Sequence, residues 1–248
     1  MIREPLAARK VGARSGFRFR GEEISRFEGF SDAVLGFAVT LLVVSLEVPR
    51  TFHELLANMR GFVAFGICFA ILVWVWYQQY LYFRRYGLED VTSIFLNSVL
   101  LFVVLFYIYP LKFLFRLLVD QMTGRSPLVV GPSGRPEPVI ELREAPLLMQ
   151  IYGLGFIAVF VVLALLYLHA YRRRGELELT PLEAFDTRES IQAALLNAAV
   201  GLLSIAISVF RLGGPWSGPI AGWSYALLGP VNAVHGAVMG RRRRALEG

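Results

Sequence analysis

The 248-residue chain is 56% hydrophobic and only 18% charged, with a mean hydropathy of +0.55. Soluble domains carry about 25% charged residues, so this composition excludes an ordinary soluble enzyme and points to an integral membrane protein. The net charge of +6 and the isoelectric point near 9.7 read as topology signals rather than nucleic-acid affinity, because the basic residues flank apolar runs and no nucleic-acid module accompanies them.

Residues 1–25 form a basic, Arg-rich segment with little apolar periodicity, expected to be a loosely ordered cytoplasmic tail touching anionic headgroups. Six apolar segments follow, roughly Phe27 to Val48, Phe62 to Phe83, Val91 to Leu114, Leu147 to Tyr171, Ile191 to Leu212 and Pro219 to Met239. Each reaches the ~20 residues that a helix needs to cross a bilayer. The period-2 alternation of barrel strands is missing, so the expected class is all-α, with six transmembrane helices per subunit. The first run is longer than a signal-peptide core and continues through Ser45-Leu46-Glu47-Val48-Pro49 without a small-x-small cleavage site, so it counts as the first span.

Lys and Arg set the expected orientation. Arg84, Arg85, Arg172 to Arg174, Arg188 and Arg241 to Arg244 fall on the same side as the basic N-terminus, and the other side holds only Arg50, Arg60, Arg125, Arg135 and Arg143. The positive-inside rule then places both termini in the cytoplasm. The expected domains are the tail 1–25, a six-helix membrane domain 26–240 and a basic C-terminal tail 241–248.

Between spans three and four, the Pro- and Gly-rich stretch from Asp120 to Ala145 reads as an irregular connector. Thr180-Pro181-Leu182-Glu183 has the arrangement of a helix start, predicting a short cytoplasmic helix leading into span five. Gly229-Pro230 is expected to break or kink span six.

The first span carries the most informative pattern. At about 100° per residue, Phe30, Val34, Phe37, Leu41, Val44 and Val48 form one bulky stripe, and Gly29, Ala33, Gly36 and Thr40 form a small-residue stripe beside it. Small residues at this spacing let helix backbones approach closely in lipid. The bulky stripe has two readings: ordinary lipid-facing or core residues, or a ring around a symmetry axis that controls permeation by dewetting. Arg26, Ser31 and Asp32 sit where polar groups cost several kcal/mol unless other protein groups satisfy them, and Asp32, about 140° from Phe37, reads as a buried acceptor for partner helices.

Other chemistry has little support. Ser31-Asp32 lacks a nucleophile elbow and a matched His, and no phosphate-cradling glycine loop is present. His169 reads as interfacial and His235, near Asn232, as hydrogen-bonded; His53-Glu54 lacks the second His of a zincin. Gln78, Gln79 and Asn97 read as interhelical hydrogen-bond formers worth ~0.6 kcal/mol each. Cys68 has no partner for a disulfide. No cofactor, resident metal or catalytic residue is expected.

Arg26 with Phe30-Ser31-Asp32 resembles the R-x-x-x-F-S-D signature of the TMEM175 family of potassium channels, and Phe69, Trp76, Gln79, Phe83, Asn97 and Pro110 resemble its pattern in spans two and three. The resemblance implies a homotetramer in a bacterial inner (plasma) membrane, with the first helix lining a central pore for potassium ions. It implies a constriction at Phe37, followed by Leu41 and Val44 with Thr40 as a neighbouring polar contact. It also implies a packing network of Arg26, Phe30, Ser31, Asp32, Trp76, Gln79 and Asn97. The implied partners are potassium, the lipid bilayer and further copies of the chain. Two positions depart from the pattern: Phe37 replaces the usual aliphatic residue, and Gln79 replaces a His, removing a group that titrates near neutral pH. The competing readings are a proton-leak pathway or secondary transporter on the same fold, or a non-conducting assembly protein in which Phe37 closes the axis.

Overall fold

The computed structural model describes residues 17–21, 25–44, 51–122, 128–130 and 135–247. Expectations for residues 1–16 and 22–24, for the last residues of span one beyond 44 and for Pro127, Gly131, Pro132 and Gly134 lie outside these, as do the side chains of Val44, His53 and Glu54. Among the described residues seven α-helices follow in order: α1 (Arg26–Val44), α2 (Phe52–Tyr86), α3 (Val91–Met122), α4 (Ala145–Arg172), α5 (Pro181–Val209), α6 (Ser217–Trp223) and α7 (Leu228–Glu247). Hydrocarbon offers no partner to backbone polar groups, so long apolar runs must pair their own N–H and C=O groups, as a helix does. Among the described residues four helical segments are long and apolar enough to cross a membrane: Phe62–Tyr86, Val91–Asp120, Ala145–Arg172 and Pro181–Val209.

The helix ends have local causes. Gly87, at φ +58°, follows α2 and donates its N–H to the Phe83 carbonyl at 2.8 Å, a left-handed cap that glycine adopts without steric cost. Thr180 and Glu183 form a reciprocal capping box at 3.2 and 3.0 Å. The helix it starts runs unbroken to Val209, so the expected short cytoplasmic helix and span five are one element.

Two further expectations are corrected. The stretch expected as the sixth span is divided into α6, a 3-10 turn at Ser224–Leu227 and α7, so the break falls a few residues before Gly229-Pro230. Pro230 sits instead in the first turn of α7, where a missing N–H costs nothing. The connector after α3 contains a short antiparallel pair, β1 (Leu128–Val130) and β2 (Pro136–Pro138), aligned Val129 to Glu137.

Helices α1 to α3 pack on one another, α4 to α7 form a second group built on the extensive α4–α5 contact, and α3 joins the groups through α4. Small residues make the tight crossings: a Cβ on Gly201 would lie 2.8 Å from Ile157, and one on Gly155 would run into the Tyr107 ring. The main apolar core crosses both groups, from Leu35 and Leu42 of α1 through Leu101 and Leu166 to Ala198 of α5. Most of the Arg clusters lie at one end of the bundle, formed by the start of α1, the ends of α2 and α4, the start of α5 and the end of α7.

Candidate functional site: the first helix and its anchors

Helix α1 has three faces. Ser31, Leu35, Ala38 and Leu42, at spacings of four, three and four, are buried against α2 and α3. The bulky stripe lies elsewhere: Phe37 is 62% exposed, and Phe30 and Leu41 are exposed with it. The small stripe of Gly29, Ala33, Gly36 and Thr40 is also exposed, and a Cβ added to Gly29 or Gly36 would meet nothing within 4 Å. The Thr40 hydroxyl donates to the Phe37 carbonyl at 2.7 Å. About half the circumference of α1 therefore faces away from its own chain.

The buried face is fixed by a chain of polar contacts. Gln79 of α2 donates its amide to the Asn97 side-chain oxygen. Asn97 of α3, 0% exposed, donates to Ser31 Oγ at 2.9 Å, and Ser31 Oγ donates to the Phe27 carbonyl at 3.0 Å. One amide from each neighbouring helix thus leads to one hydroxyl of α1, so the rotation of α1 is set by hydrogen bonds as well as by packing. Beside them the Trp76 indole N–H donates to Asp32 Oδ1 at 2.8 Å, next to a cavity of about 140 Å³ bordered by Glu28, Asp32, Tyr80 and Arg84. Asp32 accepts from this neighbouring helix and is exposed within the single subunit. Arg26 and Phe30 are exposed on the first turns, and Phe27 meets Phe83 edge to face at 5.9 Å.

Sequence reasoning missed a second anchor. Phe17–Gly21, expected to belong to a loose tail, docks on the basic end of the bundle. Arg20 pairs with Glu183 at 2.7 Å, their side chains 11% and 2% exposed, and also donates to the Leu177 carbonyl at 2.8 Å. The Arg18 backbone N–H donates to Glu183 at 2.7 Å, Arg20 N–H to the Arg84 carbonyl at 3.0 Å, and Phe17 packs on Tyr86 at 5.6 Å. Glu183 therefore caps α5 and holds the segment that leads into α1. Its position in a capping box was visible in the sequence, but its partner 163 residues away was not.

Nearby, His169 of α4 meets Asp90, between α2 and α3, at 2.9 Å, and Ser93 donates to Asp90 at 2.7 Å. Burial raises the Asp90 carboxyl, but the hydrogen bonds from Ser93 and His169 and the charges of His169 and Arg173 outweigh it and hold the group below its ordinary value. His235 lies 3.5 Å from Gln192, and no group of three or more metal-ligating side chains occurs among the described residues.

This arrangement has known relatives. The profile of the endosomal/lysosomal potassium channel TMEM175 matches residues 26–107, which hold α1, its anchors on α2 and α3 and Asp90. A potassium channel of Marivirga tractuosa is 41% identical over 240 residues, 95% of this chain and 96% of that one. The chain belongs to the TMEM175 family. A crystal structure of a threonine-to-alanine variant of the potassium channel MtTMEM175, bound to a nanobody–MBP fusion, covers 91% of this chain and 97% of its own with a TM-score of 0.78 and 40% identity. A Streptomyces collinus potassium channel is 31% identical over 88 residues, 33% of this chain and 43% of that one. The resemblance seen in the signature residues thus holds along nearly the whole chain, and the TMEM175 fold here is a multi-pass bundle of membrane helices.

Proposed function

We propose that this TMEM175-family protein is a potassium-preferring cation channel, a homotetramer in which four copies of α1 surround the pore. The observation that carries the reading is the uncovered half of α1. An isolated subunit in lipid would leave Asp32, Thr40 and Arg26 facing hydrocarbon, at several kcal/mol for the charged groups. Four copies around an axis give those groups protein or water as neighbours, let the glycine-lined stripe take up close helix contacts, and turn Phe37 and Leu41 inward, with Val44 continuing the same stripe. The names of the close relatives support potassium as the ion.

In this reading α1, both segments of α6–α7 and the four long apolar helices make six spans. The Arg-rich end is cytoplasmic, both termini lie inside, and the membrane is the bacterial inner membrane. Residues 26–240 form the channel domain and 241–248 a basic tail, while residues 17–21 belong with the bundle rather than with the tail. Potassium, lipid and three further copies are the partners.

Phe37 sets the conductance. Attraction between a cation and the ring face is worth ~0.5–2 kcal/mol, and rings turned edge-on narrow the axis. The first test is a planar bilayer under a potassium-versus-sodium gradient. A reversal potential near the potassium equilibrium value is expected, and saturable uptake coupled to a second ion would favour the transporter reading. Phe37→Ala is expected to raise single-channel conductance without changing the assembly. If current appears only in that variant, the wild-type axis is closed by its aromatic ring.

A further inference from the structure

An open crevice of about 610 Å³ runs between α2, α4, α5 and α7, away from α1. On three of these helices its two ends are marked by residues 11 apart: Trp74 and Arg85 on α2, Asn197 and Asp186 on α5, Asn232 and Arg243 on α7. Three helical turns at 1.5 Å per residue make the crevice ~16 Å long. Its far end carries no unmet polarity, because Asn232 donates to Asn197 at 2.8 Å and Asn197 to Asn232 at 3.3 Å. Leu81 and Leu163 wall the crevice between its ends, and the Trp74–Phe160 ring pair, with centroids 5.5 Å apart, stands toward the far end.

Charge is confined to the end that coincides with the basic end of the bundle. There Arg243 and Asp186 neutralise each other at 2.9 Å. Glu189 and Arg85 remain. Glu189 feels Asp186, His235, Arg243 and Arg85 but has no ion-pair partner within 4.0 Å among the described residues. The Arg85 guanidinium lies 5.0 Å from the centre of the Phe17 ring and likewise has no carboxylate within that distance among the described residues. The crevice therefore presents one carboxylate and one guanidinium that have no ion-pair partner within 4.0 Å among the described residues, and an apolar wall leading toward the membrane interior.

We infer that this crevice binds a phospholipid with a primary-amine zwitterionic headgroup, phosphatidylethanolamine in chemical type. The ammonium is placed on Glu189 with Ser190 beside it, the phosphate on Arg85, and an acyl chain along Leu163 toward Phe160 and Trp74. A free ion or metabolite is a poorer match, because three of the four walls lie in membrane-crossing segments and the ligand must enter from lipid. An anionic lipid leaves Glu189 unpaired, and a quaternary ammonium has no N–H to donate to it.

The test is native mass spectrometry of the purified full-length assembly, loaded in detergent with phosphatidylethanolamine, phosphatidylcholine or phosphatidylglycerol of identical chains. The expected result is retention of the ethanolamine lipid about tenfold above the other two, equivalent to ~1.4 kcal/mol. Glu189→Gln should bring it down to the level of the choline lipid, and Ser190→Trp, which fills the crevice, should lower retention of all three. Equal retention by the wild-type protein overturns the assignment even if both variants fail to assemble, and so does a preference for the glycerol lipid. A Ser190→Trp protein that keeps its lipid but loses its oligomer also overturns it, by assigning the crevice to a neighbouring copy.

Discussion

Asn97 shows what one buried amide can decide. It has Gln79 on one side and Ser31 on the other, and all three are out of solvent. Replacing Asn97 by Ala strands the Gln79 amide and leaves the Ser31 hydroxyl with only its bond to Phe27. Each unsatisfied buried group costs about 1–3 kcal/mol, so Asn97→Ala is expected to lower the thermal unfolding midpoint in detergent clearly more than Trp76→Phe, which releases only the exposed Asp32. An equal loss for both variants would place the weight on Asp32 instead. Asp90 gives a pH signature. Its carboxyl is held below its ordinary value in the folded protein, so the stability it contributes is full above the unfolded value near ~4 and is lost as pH falls through the lower folded value. The midpoint difference between wild type and Asp90→Asn should therefore persist at about pH 5 and shrink in stronger acid.

At the scale of elements, α1 is held at both of its boundaries with the rest of the chain: along its length by α2 and α3, and just upstream by the docked Phe17–Gly21 segment. The upstream hold depends on Glu183, which binds Arg20, the Arg18 N–H and the Thr180 N–H together. Removing one partner of a buried ion pair costs about 3–5 kcal/mol, because the other charge stays desolvated. Glu183→Gln is thus expected to destabilise the bundle by that order and to expose the backbone near Arg20 to proteolysis, as limited digestion followed by mass spectrometry would show. Intact protection of that segment would mean that Phe17 and the Arg84 carbonyl hold it unaided. The same element explains how a single helix start can serve two ends: the capping carboxylate has lone pairs to spare after it satisfies Thr180.

At the scale of the whole molecule, the proposed tetramer rests on one helix. A subunit buries Leu35, Ala38 and Leu42 of α1 and leaves a glycine stripe and an aromatic stripe uncovered on the same helix. Gly36 distinguishes assembly from folding, since an added Cβ meets nothing within 4 Å inside the subunit. Gly36→Leu is expected to keep the helicity and unfolding midpoint of the subunit while shifting native mass from tetramer to smaller species. Retention of the tetramer would move the close helix contacts away from the small stripe.

The sequence by itself determines the membrane class, the long apolar helices, the capping box at Thr180 and the two stripes of α1, because each follows from length, period or local hydrogen bonding. It also brings Ser31, Asp32, Trp76, Gln79 and Asn97 into one group through their resemblance to the TMEM175 pattern. Tertiary structure alone decides that a third stripe, Ser31 to Leu42, is the one packed on α2 and α3, that Asp32 lies at the surface of the subunit, and that the last apolar segment breaks at Ser224–Leu227. It also pairs Arg20 with Glu183. The reason is physical: in a bilayer lipid is as apolar as a neighbouring helix, so hydrophobicity does not say which apolar face turns inward. Contacts between residues far apart in the chain settle that choice, and no local period encodes them.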